Sequence, residues 1–366
     1  MISIVGAGPV GNFAGYLLAK KGYKVEIFEK NKEIGKPVQC TGIVTNTISK
    51  LIDVPDECVA NRINDVEIFA PNGKSLKIRF REANLILDRE RFDKFLSKKA
   101  EKEGVKIFLD HKIEDFKDDI LSIRKLDRNE IIEEKIERKS DNIIGADGPQ
   151  SIIAKSLGNK KREYWTSLQY RIEHKNENKI EFYPYLGTFA WIVPENKEIA
   201  RVGIIGSLGI RKILDDFLER KIGKDFRSKI IETQGGLIPK FDKKLKVSDD
   251  NTYIIGDAAG MVKATTAGGI IQGMRSAEIL AECIGTEKKF SRELRKRLFF
   301  DLSLHKYMRK IMDKFDEDDW NKLIGYFDKP KMKRILETID RDEPSKMVFK
   351  LLLKEPRLIS FVKFII

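Results

Sequence analysis

Two glycine-rich runs carry the residues whose types and spacing suit chemistry. The first is Gly6-Ala7-Gly8-Pro9-Val10-Gly11, placed between the apolar run Ile2-Ser3-Ile4-Val5 and a helical pattern. In that context Gly6 permits a tight turn and Gly8 lets the backbone approach a diphosphate. Gly11 lets helix and strand pack closely, and the helix N-terminus faces the negative charge. Glu29 closes the second apolar run about twenty residues on, where a carboxylate accepts hydrogen bonds from a ribose diol and repels a 2′-phosphate. Gly6, Ala7, Gly8, Pro9, Gly11, Glu29 and the adjoining Lys30 form the first candidate set. This motif alone leaves FAD and NAD both open.

The second run is Gly256-Asp257-Ala258-Ala259-Gly260, behind Tyr253-Ile254-Ile255. Asp257 can accept from a ribityl hydroxyl, and the small residues let the backbone pass close to a cofactor. Gly268, Gly269 and Ile270 open the next helical pattern and can offer amide N–H groups to a flavin pyrimidine ring. A helix terminus there stabilises negative charge that develops on reduction. A nicotinamide enzyme has no use for this element, so the two runs together point to FAD. The plainer reading is a glycine-rich strand–helix connection. Asp147-Gly148, behind Asn142-Ile143-Ile144-Gly145-Ala146 and followed by Ser151, is a third element or an ordinary strand-end turn. Arg89, ahead of Phe92 and Asp93, is a cation for the diphosphate or flavin, or a solvated helix-start arginine.

The elements that must position these residues follow from patterning. A helix is expected over residues 12–21, with Gly22 as its stop, and a second strand over 25–29. Pro71-Asn72-Gly73 between two strand-like segments signals a hairpin. Residues 88–103 read as an amphipathic helix, 105–109 and 141–146 as strands, and 115–139 as a polar antiparallel meander. Strands are expected over 164–173, 179–183, 188–194 and 200–205, and helices over 210–221 and 224–232. Residues 252–255 read as a returning strand, 269–283 as a long helix, and 291–366 as helical and basic.

Composition sets the class. The chain has 366 residues, 41% of them hydrophobic, enough for a substantial core in two or three subdomains. No apolar run approaches the length of about 18 residues that a spanning helix needs. The opening residues lack the basic leader of a signal peptide, so a cytoplasmic protein is expected. Three cysteines without CxxC spacing and three scattered histidines suggest neither a disulfide framework nor a metal site. The net charge of +13 suits an anionic membrane surface or an acidic protein donor, and equally a set of solvated lysine-rich faces. Aromatics do not interleave with the basic residues, so no nucleic-acid partner is expected.

The glycine runs, Glu29, Asp88-Arg89 with Phe92-Asp93, and Gly145-Ala146-Asp147-Gly148 resemble those of the p-hydroxybenzoate hydroxylase-like flavoproteins. Within these, the chain is similar to the geranylgeranyl reductase family. Lys36-Pro37-Val38-Gln39-Cys40-Thr41-Gly42 resembles its Pro-x-x-Cys-Gly-Gly loop, and Phe189-Ala190-Trp191-Ile192-Val193-Pro194 its Tyr-x-Trp-x-Phe-Pro motif. The departures are Thr41 for glycine, Phe189 and Val193 for tyrosine and phenylalanine, Ala264 for proline and Ala267 for glycine.

The resemblance implies an α/β fold. A Rossmann-like FAD-binding domain of the p-hydroxybenzoate hydroxylase type would span roughly residues 1–60, 83–160 and 245–285. An antiparallel β substrate domain would take roughly 61–82 and 161–244, and a C-terminal helical region roughly 286–366. It adds Cys40, Thr41 and Gly42 to the cofactor set. It makes Cys40 a residue that positions or protonates substrate near the flavin, against a plain reading as a small buried hydrophobe. Trp191 becomes a wall of the substrate cavity, against a core residue. The implied reaction is saturation of isolated C=C bonds in polyprenyl chains, of archaeal-type ether lipids. A single GxGxxG leaves electrons to an external donor: NAD(P)H, a reduced deazaflavin or a ferredoxin. An FAD monooxygenase on a small apolar substrate and a non-catalytic flavin- or lipid-binding protein are the alternatives. The absence of a Trp-x-Trp-x-Ile-Pro motif disfavours a halogenase. The lysine-rich C-terminal segment, ending Phe364-Ile365-Ile366, is read as helices packing on the protein or as a surface touching anionic lipid.

Overall fold

The computed structural model describes residues 1–125, 134–339, 342 and 344–364. Strand β1 (Ile2–Val5) is buried throughout, as its apolar run requires. Helix α1 (Pro9–Lys20) starts earlier than residue 12, because Pro9 at its first position already has helical φ and needs no N–H partner. Next come β2 (Val25–Phe28), the short β3 (Ile43–Val44), β4 (Val59–Phe69) and β5 (Ser75–Leu87). The last two form the expected hairpin, with Gly73 at φ +82°. Helix α2 (Arg89–Lys102) buries Phe92, Leu96 and Ala100 along one face. Strand β6 (Lys106–Phe108) precedes the meander β7 (His111–Lys117), β8 (Ile120–Lys125) and β9 (Glu134–Lys139); residues 126–133 of the expected meander lie outside the described residues.

Strand β10 (Asn142–Gly145) leads to the short helix α3 (Ile152–Ser156). Then follow β11 (Tyr164–Glu173), β12 (Ile180–Tyr183), β13 (Phe189–Pro194), β14 (Ile199–Gly206) and helix α4 (Ile210–Lys221). The helix expected over residues 224–232 is not formed. A 3-10 turn occupies Phe226–Lys229, and β15 (Ile230–Pro239) follows it beside β11. Pairing at the sheet edge overrides a helical preference that was weak to begin with. The chain continues with β16 (Ser248–Asp249), β17 (Thr252–Ile254), α5 (Ile270–Cys283) and α6 (Phe290–Leu294). It finishes with α7 (Phe300–Met312), α8 (Glu317–Phe327), α9 (Pro330–Thr338) and α10 (Pro344–Lys354).

These elements form two compact units. The first takes Met1–Val38, Arg89–Glu163 and Pro239–Ser303. Its sheet has the order β16-β17-β10-β1-β2-β6, parallel except for β16. Helix α1 packs tightly on it through Gly15, where an added Cβ would lie 2.9 Å from Ile27 Cδ1. The second unit takes Gln39–Asp88, Tyr164–Ile238 and Leu304–Ile366. Its sheet runs β15-β11-β14-β13-β12-β4-β5-β3. One face is covered by α4, whose Leu214, Phe217 and Leu218 pack on Tyr170, Ile192, Val202 and Ile204.

The units do not follow the boundaries expected from sequence. Residues 39–60 and 83–88 group with the second unit, because β3 pairs with β5 and β5 runs unbroken to Leu87. The C-terminal region divides at residues 303 and 304.

Candidate flavin site

In the first unit, three motifs meet at the carboxyl ends of adjacent parallel strands β1, β10 and β17, where open α/β sheets bind ligands. A Cβ on Gly6 (φ +99°) would come within 2.5 Å of the Ala146 carbonyl oxygen, so the first loop lies directly on the strand end that leads into Asp147. A Cβ on Gly11 would fall 2.0 Å from the Gly6 carbonyl oxygen. Gly8 is the opposite case: an added Cβ meets nothing within 4 Å. It is the N-cap of α1, with no side-chain cap and no acid in the first turn. The open space and uncapped amides at this helix start make a cradle for an anion. The Glu29 carboxylate accepts from the Ala7 N–H (2.8 Å) and the Asn31 N–H (2.9 Å), which fastens the end of β2 to the loop and leaves lone pairs for a diol. Lys30 beside it is exposed.

The turn Gly256–Ala259 is 3-10, held by a bond from the Gly256 N–H to Ser276 Oγ on α5. A Cβ on Gly256 would lie 3.1 Å from Val10 Cγ1, so this turn sits against the first glycine loop. Asp257 is half-buried, and among the described residues its carboxylate accepts no hydrogen bond. Burial pushes its carboxyl above the ordinary aspartate range, while Arg89 and Arg162 pull it down. Its Oδ1 would be 2.9 Å from a Cβ on Gly269, the uncapped N-cap of α5, which opens at Ile270. An acceptor with vacant lone pairs thus stands beside a second set of free amides.

Asp147 has a structural task. Its Oδ2 accepts from the Ile152 N–H (2.7 Å) at the start of α3, while its Oδ1 is buried with no partner among the described residues. Burial pushes this carboxyl up as well, against the bonds from Ser151 and Ile152. The buried Asn12 Oδ1 is likewise orphaned. Arg89 is held in a bidentate pair with Asp93, at 2.9 and 3.1 Å, and is mostly buried rather than solvated.

Two residues escaped sequence reasoning. Arg162 donates to the Pro149 carbonyl (2.9 Å) and the Asp257 carbonyl (2.8 Å), cross-linking two motif loops. Lys263 is buried, with its Cε 3.1 Å and Nζ 3.5 Å from a Cβ built on Gly268. Neither lies in a recognisable motif, so no local signal could have found them. The open cradle at Gly8, the two uncapped helix starts and the orphaned acceptors fit a dinucleotide flavin.

Cys40, Thr41, Gly42 and Trp191 belong to the second unit. Cys40 is half-buried, and its Sγ accepts from the Gly42 N–H at 3.3 Å. Thr41 Oγ1 (2.6 Å) and Trp191 Nε1 (3.0 Å) both donate to Oε1 of the buried Gln169, whose amide donates to Gln234 (2.6 Å). The Thr41 and Leu87 carbonyls accept from Arg201 Nη1. The indole lies over Gly203, where a Cβ would stand 2.4 Å from its ring. Phe189 and Phe182 continue an aromatic row, with ring centroids 5.5 Å (Trp191–Phe189) and 6.4 Å (Phe189–Phe182) apart. Gln169 and Phe182 are further residues that sequence reasoning missed; they share a sheet face with Trp191 only through strand register.

The model of the FAD binding domain family matches residues 1–185. The digeranylgeranylglycerophospholipid reductase of Methanocaldococcus jannaschii is 28% identical, over 99% of this chain and 97% of that protein. Digeranylgeranylglycerophospholipid reductase 1 of Methanosphaera stadtmanae is 30% identical, over 96% and 93%. Among solved structures, a geranylgeranyl bacteriochlorophyll reductase-like protein from Thermoplasma acidophilum superposes with a TM-score of 0.84 at 23% identity, covering 100% of this chain and 98% of that one. The p-nitrophenol 4-monooxygenase of Pseudomonas putida shares the fold at a TM-score of 0.73 and 16% identity, covering 92% and 96%. Fold and motifs define an FAD-dependent oxidoreductase. The chain belongs to the FAD binding domain family and, within it, to the digeranylgeranylglycerophospholipid reductases.

Proposed function

We propose that the protein saturates isolated C=C bonds in the geranylgeranyl chains of archaeal-type membrane glycerophospholipids. The observation that carries this reading is the near full-length likeness, at 30% identity, to a reductase of that name. The chemistry supplied at the site when FAD is bound is hydride transfer to carbon, with a proton from water or a nearby acid. Gly8 and the start of α1 hold the diphosphate, and Glu29 accepts from the ribose. Asp257 accepts from the ribityl chain. The amides of Gly268, Gly269 and Ile270 hold negative charge on the pyrimidine ring, with Arg89, Lys263 and the helix terminus adding positive potential.

An isolated alkene has no carbonyl to take up charge, so alignment and exclusion of water supply much of the rate. Trp191, Phe189 and Phe182 offer the prenyl chain an apolar wall. A thiol is a poor acid toward an alkene, so Cys40 positions substrate rather than protonating it. An external donor, a nicotinamide, a reduced deazaflavin or a ferredoxin, would supply the electrons. Among the described residues no helix is long and apolar enough to cross a membrane.

The test is anaerobic incubation of dithionite-reduced protein with an archaeal lipid extract, followed by mass spectrometry. Addition of one H₂ per double bond to prenyl lipids is expected. An unchanged saturation profile overturns the reading, as does substrate-stimulated oxygen uptake with the alkenes left intact.

A further inference from the structure

Helix α10 buries one side and exposes another of unusual character. Pro344 and Leu351 face inward. Phe349 and Leu353 are 66% and 63% exposed, and their i,i+4 spacing makes them neighbours on the outer side. Lys350 and Lys354, both exposed, form a second row at the same spacing beside them. No acidic residue occurs within α10. Neighbouring cations at this spacing repel one another, so the helix gains from a partner that neutralises them. The next acid, Glu355, is buried and engaged by both Lys329 and Arg357. Ile359, 58% exposed, lies in the turn Pro356–Phe364 that follows. Leu351 and Phe361 are buried, and residues 365–366 lie outside the described residues.

We propose that α10 and the turn after it dock on an anionic lipid membrane, inserting Phe349, Leu353 and Ile359, with Lys350 and Lys354 at the level of the phosphates. Lysine stems lie along apolar surface while their ammonium groups reach the head groups, which suits interleaved apolar and cationic rows. The preference for a membrane over an acidic protein rests on the reading of the substrate as a membrane lipid.

The FAD-loaded full chain is sedimented with vesicles of phosphatidylglycerol and phosphatidylcholine in equal parts, and with phosphatidylcholine alone, without prenyl substrate. Binding to the anionic vesicles is expected, weaker by at least about tenfold on neutral ones. The triple variant Phe349→Ser, Leu353→Ser, Ile359→Ser and the double variant Lys350→Gln, Lys354→Gln each lose at least about tenfold in affinity. All five positions are exposed, so unchanged flavin content and melting temperature are expected to accompany the loss. The proposal is overturned by absence of vesicle binding, by equal binding to both vesicle types, or by a serine variant that binds like the wild type. Capture of an acidic protein without vesicle binding overturns it too. Turnover of detergent-dispersed prenyl lipid is the independent readout. If turnover persists in a protein that binds no vesicles, docking falls and the reductase reading stands. If vesicles are bound and no lipid is saturated, docking stands and the reductase reading falls.

Discussion

Gly8 has φ −68°, which any residue adopts, and an added Cβ touches no atom of the described residues. Gly8→Ala should therefore leave apoprotein stability within about 0.5 kcal/mol of wild type. The same methyl would stand where a diphosphate must approach, so the FAD dissociation constant should rise by about tenfold or more, about 1.4 kcal/mol. Flavin titration beside apoprotein calorimetry checks this, and unchanged affinity would remove Gly8 from the cofactor contact. Gln169 invites the complementary experiment. Gln169→Ala strips the acceptor from both Thr41 and Trp191, leaving a half-buried hydroxyl and a buried indole N–H unsatisfied at a cost of about 2–3 kcal/mol. Trp191 emission should change in a background where Trp165 and Trp320 are phenylalanine, and the Cys40 thiol should react faster with a disulfide reagent. The second effect separates positioning of the loop from loss of stability alone. Thr41, a departure from the glycine of the related loop, makes that bond through a hydroxyl glycine lacks.

At the scale of elements, the loop into α5 contains Ala267 at φ +53°, a left-handed conformation that costs an L-residue about 1–2 kcal/mol. Glycine adopts this conformation without that cost. Ala267→Gly should stabilise the protein by about 1 kcal/mol or less, since glycine also gains freedom in the unfolded chain; thermal melting decides the sign. Most elements were legible from pattern. The strand–turn–helix start, the Pro-Asn-Gly hairpin and the amphipathic α2 each state their type within a dozen residues. Residues 224–232 were not legible, because the pairing that makes Ile230–Pro239 a strand lies with β11, more than fifty residues earlier. No local period encodes it.

For the molecule as a whole, buried carboxyls set how stability varies with pH. Asp257, Asp147 and Asp93 are all pushed upward, chiefly by burial. The folded state then holds protons more tightly than the unfolded one. Their contribution is most favourable below the ordinary aspartate value of 3.8 and declines as pH rises from there through the raised folded values. Apoprotein Asp257→Asn should therefore exceed wild type in stability at neutral pH, with the gap closing toward acid. Chemical unfolding across pH measures it. Cofactor binding should act on the same balance. FAD at about a hundred times its dissociation constant adds about 2.7 kcal/mol to wild-type stability, and clearly less to Asp257→Asn at equal FAD, because amide replaces carboxylate as the ribityl acceptor. Equal stabilisation of both proteins would take Asp257 out of the cofactor contact.

Flavin chemistry and reductase kinship are written in the amino-acid order alone. Each motif is local: a glycine at a fixed step after a strand, an acid at the next strand's end, an aspartate at a turn into a helix. Short-range sterics and helix-end electrostatics are enough to read them. Folding in three dimensions was needed to bring Gly6 against Ala146 and Gly256 against Val10, to let Arg162 tie two of the motif loops, and to gather Thr41 and Trp191 on Gln169. It also assigned residues 39–60 to the second unit. These outcomes depend on which strands pair across long stretches of chain and in what register. Many registers satisfy the same local alternation, and the packing of the whole sheet selects one.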